Sequence, residues 1–332
     1  MSRSADRSCP DCGSSQSRRD FLRRAGSAAI VGAAGPLLLP RAGLFAAPSE
    51  ESAAETAVGR FYDSLTDQQR KVICLPFDHA QRHKISANWH ITEPAIGDDF
   101  YSDEQRTLIT EIVQGITSED GYERLLQQME DDDGGINFYS VAVFGTPGEG
   151  PFEWEMTGRH LTMRADGNSI DHAAFGGPIV YGHGEEDPRD NLFHYQTKAT
   201  HEVFLSLDES QAKQALIEEA PRESAVPIQG EGGTFPGIAV STLSDDQQEL
   251  VSETLKVLLA PYREEDVDEV MQILKDSGGV ESLNMAFYRK GDLGKDQVWD
   301  IWRIEGPSFV WHFRGAPHVH AYINIGGVRS ET

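Results

Sequence analysis

Apolar residues recur at helical spacing in two separate stretches of the chain. One stretch follows Ser102 and the other follows Ser244, and each serine stands three residues ahead of a glutamine, Gln105 or Gln247. A serine that caps the first turn, with a glutamine reaching back to the serine's own backbone N–H, forms a capping box. Each pattern therefore predicts a helix that begins just after its serine. The predicted buried stripes comprise Leu108, Ile109, Ile112, Val113 and Ile116 in the first helix, and Leu250, Val251, Leu255 and Leu258 in the second.

Each of these helices is followed by a second helix and then by strand patterns. The second helices are predicted at about 119–130 and 264–275. Alternating apolar and polar residues are typical of strands with one buried face. Such patterns predict strands at 136–144, 152–156 and 159–165, and again at 282–288, 297–305, 308–313 and 318–325. Helix pairs followed by runs of strands favour an α+β fold with antiparallel sheets and helices on one side.

The repeated element order indicates an internal duplication. Trp154-x3-Gly158 recurs 148 residues later as Trp302-x3-Gly306, and the two capping boxes lie 142 residues apart. We therefore predict duplicated helix-pair and antiparallel-strand units around a shared core. The duplicated domain is expected over residues 61–328, with copy one at about 100–185, a helical connector at 187–220 and copy two at about 242–328.

The N-terminal residues have the pattern of an export signal. Ser17-Arg18-Arg19-Asp20-Phe21-Leu22-Arg23 resembles a twin-arginine signal, and small residues at Ala46 and Ala47 suit a signal peptidase. The apolar run at 25–39 is short and glycine-rich for a membrane span. We predict a signal peptide at 1–46, a polar linker at 47–60, recognition by the twin-arginine export machinery, and a periplasmic or otherwise exported product without a stable span. Anchoring by an uncleaved signal is the alternative.

Composition narrows the possible functions. The 332 residues include 29 Lys+Arg and 54 Asp+Glu, which gives a net charge of −25. This acid excess argues against nucleic-acid binding, because phosphate contacts require a basic surface. Cys9 and Cys12 precede the twin arginine and are expected to leave with the signal, so Cys74 has no disulfide partner within the mature chain.

Several common catalytic motifs are missing from the sequence. Gly145–Gly150 lacks the spacing of a dinucleotide-binding loop, and no phosphate loop ending in Gly-Lys-Ser/Thr occurs. No Gly-x-Ser-x-Gly elbow is present, which argues against an ordinary serine hydrolase. His201-Glu202 lacks the second histidine of a zinc-protease helix.

Strand alternation places several of the histidines away from the core. In the last predicted strand, His318, His320 and Tyr322 share the face opposite the apolar residues. The same rule puts His312 opposite the aromatic face of the preceding strand, and His160 on the polar face of an earlier strand. Two imidazoles in a His-x-His pair can lean onto one ion, and a third ligand completes a site for Zn, Cu or non-haem Fe. The alternative is a solvated or hydrogen-bonded pair, which is common on exposed strand faces. His172 lies 148 residues before His320 and is a reserve ligand.

A set of motifs in order resembles one bacterial family. Asn88-Trp89-His90, Gly158-Arg159-His160-Leu161 and His318-Val319-His320 resemble motifs of domain-of-unknown-function family 3500, and Val143–Pro147 and Arg303–Phe309 extend the match. The similarity runs from about Phe61 to Ile325. The family pattern has Trp-His, Gly-His-His-Leu and His-Ile-His at the three histidine motifs, so this chain departs from it at Arg159. The resemblance implies no known activity, and it selects the same histidines as strand alternation does, together with His90.

These observations support a metal-dependent exported enzyme as the leading hypothesis. His160, His318 and His320 are the predicted ligands of a transition metal (Cu, Fe or Zn), with His90 or His312 as the fourth. Arg303 or Arg159 is expected to hold an anionic group of a small-molecule substrate, and Tyr322 to orient a bound water or radical. Copper or iron oxidoreductase chemistry is favoured slightly over hydrolysis. The alternative is a non-catalytic exported protein that binds a ligand or has a structural role and holds no metal.

Overall fold

A computed structural model describes residues 47–327 of the chain. The predicted signal peptide at 1–46 and the twin arginines therefore lie outside the described residues. Within 47–327, no helix is both long and apolar enough to cross a membrane.

One mixed sheet contains all eleven strands of the described residues. These strands are β1 (Cys74–Leu75), β2 (Ser140–Gly145), β3 (Phe152–Gly158), β4 (Leu161–Ala165), β5 (Ile179–His183), β6 (Leu216–Ile217), β7 (Ile238–Ala239), β8 (Asn284–Tyr288), β9 (Ile301–Gly306), β10 (Phe309–Arg314) and β11 (Val319–Ile325). Their order across the sheet is β1-β2-β3-β4-β5-β11-β10-β9-β8-β6, with β7 paired to β8. Only β1 with β2 and β6 with β8 pair in parallel, and the other pairs are antiparallel.

Eight α-helices accompany the sheet in the described part of the chain. They are α1 (Ala53–Ser64), α2 (Asp67–Ile73), α3 (Asp103–Gly115), α4 (Glu119–Asp133), α5 (His194–Ser206), α6 (Glu209–Ala215), α7 (Asp245–Leu259) and α8 (Glu264–Asp276). Both predicted capping boxes are present, at the start of α3 and at the start of α7. The α+β prediction is confirmed.

The sheet has the same order of strands on either side of its centre. The antiparallel pair β5–β11 lies in the middle, and each half ends in a two-residue parallel strand. A glutamine pair repeats at an offset of 142 residues: Gln69 Nε2 donates to Gln105 Oε1 at 2.8 Å, and Gln211 Nε2 donates to Gln247 Oε1 at 3.2 Å. The two halves therefore use the same local contacts to join a short helix to a long one. The numerical limits of the two copies stay a prediction.

The helices cover one face of the sheet. One apolar cluster there includes Trp154 with the stripe of α3, and another includes Trp311 with the stripe of α7. The linker predicted at 47–60 is largely helical instead, because helix α1 begins at Ala53. The small side chains of Ala54, Ala57 and Val58 form an apolar stripe with Phe61, and this stripe is fully or almost fully buried. Burial of that stripe stabilises a helix that the polar composition of the segment conceals.

Loops cover the opposite face of the sheet, which we call the loop face. Trp89 packs there against Phe144, and its indole N–H donates to the Thr162 hydroxyl at 3.0 Å. Val226, from the loop that follows β6, packs against Val310 and Tyr322. The polar side of the strands is therefore enclosed rather than solvated, and charged side chains lie beneath these loops.

Two strand predictions differ from the structure in ways that matter for the site. The glycine-rich stretch at 172–184, where no strand was predicted, contains β5, because Ile179 and Tyr181 bury their side chains in the helix-face core. The strand predicted from Arg159 begins instead at Leu161, and His160 lies in the preceding turn with φ +57°.

Candidate metal centre

His160 is fixed by the short turn between β3 and β4. Its backbone N–H donates to the Ala87 carbonyl at 2.6 Å, and the Arg159 carbonyl accepts from the Tyr139 hydroxyl at 2.8 Å. Gly158 permits this arrangement, because a Cβ there would lie 2.3 Å from the Tyr139 ring. The turn thus holds the His160 imidazole, which is 4% exposed, against the end of the sheet.

Sheet order brings His318 and His320 to the same place. His318 immediately precedes β11 and His320 is its second residue. β11 pairs with β5, and β5 in turn pairs with β4. Gly182 of β5 lies opposite His320, and a Cβ on this glycine would be 3.2 Å from the His160 Cβ. The missing side chain on the intervening strand lets His160 approach the histidines of β11.

The three imidazoles form a compact cluster. The ring centroid of His160 lies 5.1 Å from that of His318 and 4.9 Å from that of His320. The Nε2 atoms of His318 and His320 are 3.1 Å apart, and one potential ligand atom from each histidine lies within 4.8 Å of the other two. Imidazole nitrogens at about 2.0–2.1 Å from a tetrahedral zinc would be roughly 3.3 Å from each other. Small side-chain adjustments would therefore suffice for His160, His318 and His320 to bind one ion.

A buried carboxylate orients His160. The His160 Nδ1 lies 2.7 Å from Asp132 Oδ2 near the end of α4. Asp132 also accepts from Gln128 Nε2 at 2.6 Å and from the Gly184 backbone N–H at 2.8 Å. Burial raises the pKa of Asp132, but the hydrogen bonds from His160, Gln128 and Gly184 lower it on balance. An ionised Asp132 holds the proton of His160 on Nδ1 and leaves Nε2 as the free ligand atom.

A second carboxylate, on the loop face, orients His320. Glu223 Oε1 lies 3.2 Å from His320 Nδ1, and the same oxygen accepts from the Tyr322 hydroxyl at 3.5 Å. Arg314 places its Nε 3.1 Å from the other oxygen of Glu223 and donates to the His318 carbonyl. Burial raises the pKa of Glu223, but His320 and Arg314 lower it by more. The pKa of Glu223 is therefore below its usual value. Each of two histidines in the cluster therefore has a carboxylate behind its Nδ1.

The surroundings keep the histidines of β11 neutral. Burial, followed by the positive charges that His320 and Arg314 can carry, lowers the pKa of His318 to about 4. Burial also lowers the pKa of His320, although Glu223 opposes this effect. Neutral imidazole is the form that binds a metal, so both rings are competent ligands at neutral pH.

The other residues predicted for the site lie outside this cluster. His90 is exposed, and His172 is an exposed residue of the connection between β4 and β5. His312 is 1% exposed on the loop face, where it lies opposite Arg303 in the strand register. Burial, together with the Arg303 charge, lowers the pKa of His312 to about 3. Of the five predicted metal ligands, the structure brings together His160, His318 and His320.

Of the three residues predicted to act on substrate, water or a radical, Arg303 and Tyr322 are buried, whereas Arg159 is exposed. Arg303, 4% exposed, donates to both oxygens of Glu305 and to the Ala225 carbonyl. Tyr322 is also 4% exposed, and its hydroxyl lies on Glu223. Tyr322 therefore contacts the same carboxylate as His320. Arg303 lies on β9, next to the strand of Arg314, and is paired with Glu305 instead.

The sequence patterns do not predict Asp132 or Glu223 as residues of the site. Asp132 is one of three consecutive aspartates before a glycine, which is typical of a solvated helix end. Glu223 lies in a loop between the two copies. A loop has no periodic alternation of side chains, so the direction of Glu223 cannot be predicted from its position in the sequence. The available signal was that a strand histidine which binds a metal usually needs a carboxylate or carbonyl behind it.

The fold and the site define an α+β protein whose sheet brings three histidines together, two of which have a carboxylate behind Nδ1. Such a set leaves further coordination positions for water or substrate, as catalytic metal sites do. The chain belongs to the family described as protein of unknown function (DUF3500), whose family model matches residues 48–323. No curated protein and no solved structure matches the chain.

Proposed function

We propose that the protein is an exported, metal-dependent enzyme with His160, His318 and His320 as the metal ligands. The observation that carries this proposal is the convergence of one ligand atom from each histidine within 4.8 Å. Hydrogen bonds from Nδ1 to Asp132 and Glu223 support it, because such bonds fix the tautomer that exposes Nε2.

The metal would act as a Lewis acid or a redox centre, and the chain supplies its geometry. Asp132 and Glu223 increase the basicity of His160 and His320 and limit the rotation of their rings. Tyr322 and Arg314 hold Glu223 in place, so these residues position ligands rather than contact the reacting atoms. A position opposite the three imidazoles is the expected place for water or substrate.

We propose copper or iron oxidoreductase chemistry ahead of zinc hydrolysis. Imidazole binds all three metals, so the ligand set alone admits both reaction classes. Twin-arginine export carries folded proteins, which permits a cofactor to be inserted before transport. A small molecule with an anionic group is the proposed substrate.

Metal analysis of the full protein, produced with its own signal, tests the proposal. We expect near-stoichiometric Cu, Fe or Zn in the wild type, and loss of that metal in a folded His318→Ala/His320→Ala variant. His172→Ala is the matched control, since this exposed histidine lies outside the cluster. Failure of the wild type to bind any of these metals after reconstitution would favour a non-catalytic binding or structural protein.

Export is tested separately from metal binding. Ser17–Arg23 resembles a twin-arginine signal, and a paired Arg18→Lys/Arg19→Lys change is expected to retain the protein in the cytoplasm. Cell fractionation followed by immunoblotting measures the result. Unchanged export of the paired variant would contradict the twin-arginine route without affecting the metal site.

A further inference from the structure

We propose that Arg159 binds an oxyanion group of the substrate, a carboxylate or a phosphate, beside the histidine cluster. This inference rests on the proposed function, because it places substrate at the metal centre. It assigns the recognition of negative charge to the exposed side chain next to His160 rather than to the buried Arg303.

Close contacts around Gly184 locate the Arg159 guanidinium. A Cβ built on Gly184 would lie 2.7 Å from Asp132 Oδ1, 3.4 Å from Arg159 Nη2 and 3.4 Å from His160 Cε1. The guanidinium and the edge of the imidazole therefore border the same small space. His160 Cε1 is bonded to Nε2, the atom that Asp132 leaves free, so a substrate held at the metal would be within reach of Arg159.

The guanidinium is available for a ligand. Arg159 forms no ion pair with any carboxylate of residues 47–327, although the chain has 54 acidic residues. Asp132, the acidic neighbour in this corner, already accepts from His160, Gln128 and the Gly184 backbone. Arg314 differs from Arg159, because it is committed to Glu223 and to the His318 carbonyl.

The backbone of Arg159 is held while its side chain is exposed. Its carbonyl accepts from the Tyr139 hydroxyl at 2.8 Å and from Gln128 Nε2 at 3.3 Å. A fixed backbone restricts the region that the guanidinium can reach, and its planar donors match carboxylate and phosphate oxygens in pairs. In a protein with a net charge of −25, a local cation is also needed to offset general repulsion of an anion.

Anion titrations of the cobalt-loaded full-length protein test this role. Cobalt absorption reports both metal occupancy and the approach of an anion, and acetate and phosphate are titrated separately at constant ionic strength. We expect Arg159→Ala to retain cobalt and to weaken anion binding about tenfold. Arg159→Lys should recover part of the affinity, since lysine keeps the charge but loses the paired donors. Arg289→Ala, which removes an exposed arginine next to β8, controls for net charge and should behave like the wild type.

The outcomes separate this inference from the proposed function. Equal anion affinity in the wild type and Arg159→Ala would overturn the role of Arg159 and leave the metal centre intact. If Arg289→Ala weakened anion binding as much as Arg159→Ala, the effect would be one of net charge alone, and the role of Arg159 would again be overturned. If Arg159→Ala lost cobalt, the anion titration would be done with Arg159→Gln instead. Loss of cobalt from both variants would mean that Arg159 is needed for metal binding itself, and would overturn its separate role in anion binding. Absence of cobalt binding by the wild type would remove the proposed function and this inference together.

Discussion

The β3–β4 turn and the β9–β10 turn are equivalent in the two halves of the sheet, and they differ in chemistry. The first turn contains Arg159 and His160, whereas the second contains Pro307 and Ser308 at an offset of 148 residues. His160 joins His318 and His320 in the cluster, while the Ser308 hydroxyl has no hydrogen-bond partner among residues 47–327. A duplicated scaffold therefore presents two equivalent corners, of which one has the candidate site.

The loop faces of the two halves also differ in how they compensate buried charge. In the first half, Arg164 contacts the carboxylates of Glu153 and Glu155 and donates to backbone carbonyls. The equivalent position in the second half is His312, whose Nδ1 has no hydrogen-bond partner in the described part of the chain. Nearby charges raise the pKa of Arg164 despite burial, whereas burial keeps His312 neutral. The same strand position thus carries a charge in one half and none in the other.

Removing the buried cation of the first half is expected to have the largest effect. Arg164→Met would leave Glu153 and Glu155 buried with only Arg82 to compensate them. We expect the free energy of unfolding to fall by about 3–5 kcal/mol, as is typical when one partner of a buried ion pair is lost. Urea unfolding followed by circular dichroism measures this change.

Arg303→Met is the comparison variant, because it removes a buried arginine from the loop face of the second half. It leaves one carboxylate, Glu305, which still accepts from Gln229 Nε2 at 2.9 Å. The loss of stability should be smaller than for Arg164→Met. Equal losses would mean that the two loop faces do not differ in charge compensation.

The pH dependence of stability tests the neutral state of His312. Its pKa is lowered from 6.5 to about 3 in the folded protein, so the unfolded chain takes up the proton first as pH falls. This residue therefore contributes stability above pH 6.5 that is lost on acidification, about 2 kcal/mol between pH 6.5 and 4.5. His312→Gln does not titrate, and its free energy of unfolding should decline less over that interval. Parallel pH profiles for the two proteins would contradict the assignment.

The two carboxylates that support the histidines are expected to differ in importance. Asp132→Asn removes the negative charge behind His160 at a site 3% exposed, while Glu223→Gln acts behind His320 at a site 27% exposed. We expect Asp132→Asn to weaken metal affinity by about 10–100-fold and Glu223→Gln to have a smaller effect. Competition with a chelator of known affinity provides the measurement. A larger effect of Glu223→Gln would reverse the proposed ranking.

The β9–β10 turn, which lacks the candidate site, should tolerate substitution. Ser308→Ala removes a buried hydroxyl that makes no hydrogen bond to any described residue, so the free energy of unfolding should change by less than about 1 kcal/mol. Metal content should match the wild type. Loss of metal from Ser308→Ala would show that both corners of the sheet contribute to one site.

Local sequence signals predicted much of the architecture. The capping boxes at Ser102 and Ser244 mark helix starts because their hydrogen bonds form between residues three apart. Alternation correctly assigned Trp311 and Ile323 to the apolar core, since strand geometry sends successive side chains to opposite faces. Helix α1 and strand β5 were missed, because small or glycine-rich segments gain their stability from distant packing partners.

The candidate site was predicted only in part, for a related reason. Register selected His318 and His320 as neighbours on one strand, and their placement depends on backbone geometry alone. The contact with His160 requires β5 to lie between β4 and β11, with Gly182 opposite His320. No local pattern specifies that order.

The sequence by itself determined the α+β class, the two helix starts and the faces of the last strands, because these depend on periodicity and on hydrogen bonds between near neighbours. Only the tertiary structure decided that Asp132 and Glu223 lie behind the histidines. It also decided that His312 and Arg303 are enclosed beneath a loop. These contacts join residues far apart in the chain, and their positions follow from strand order and long-range packing, which local periodicity does not encode.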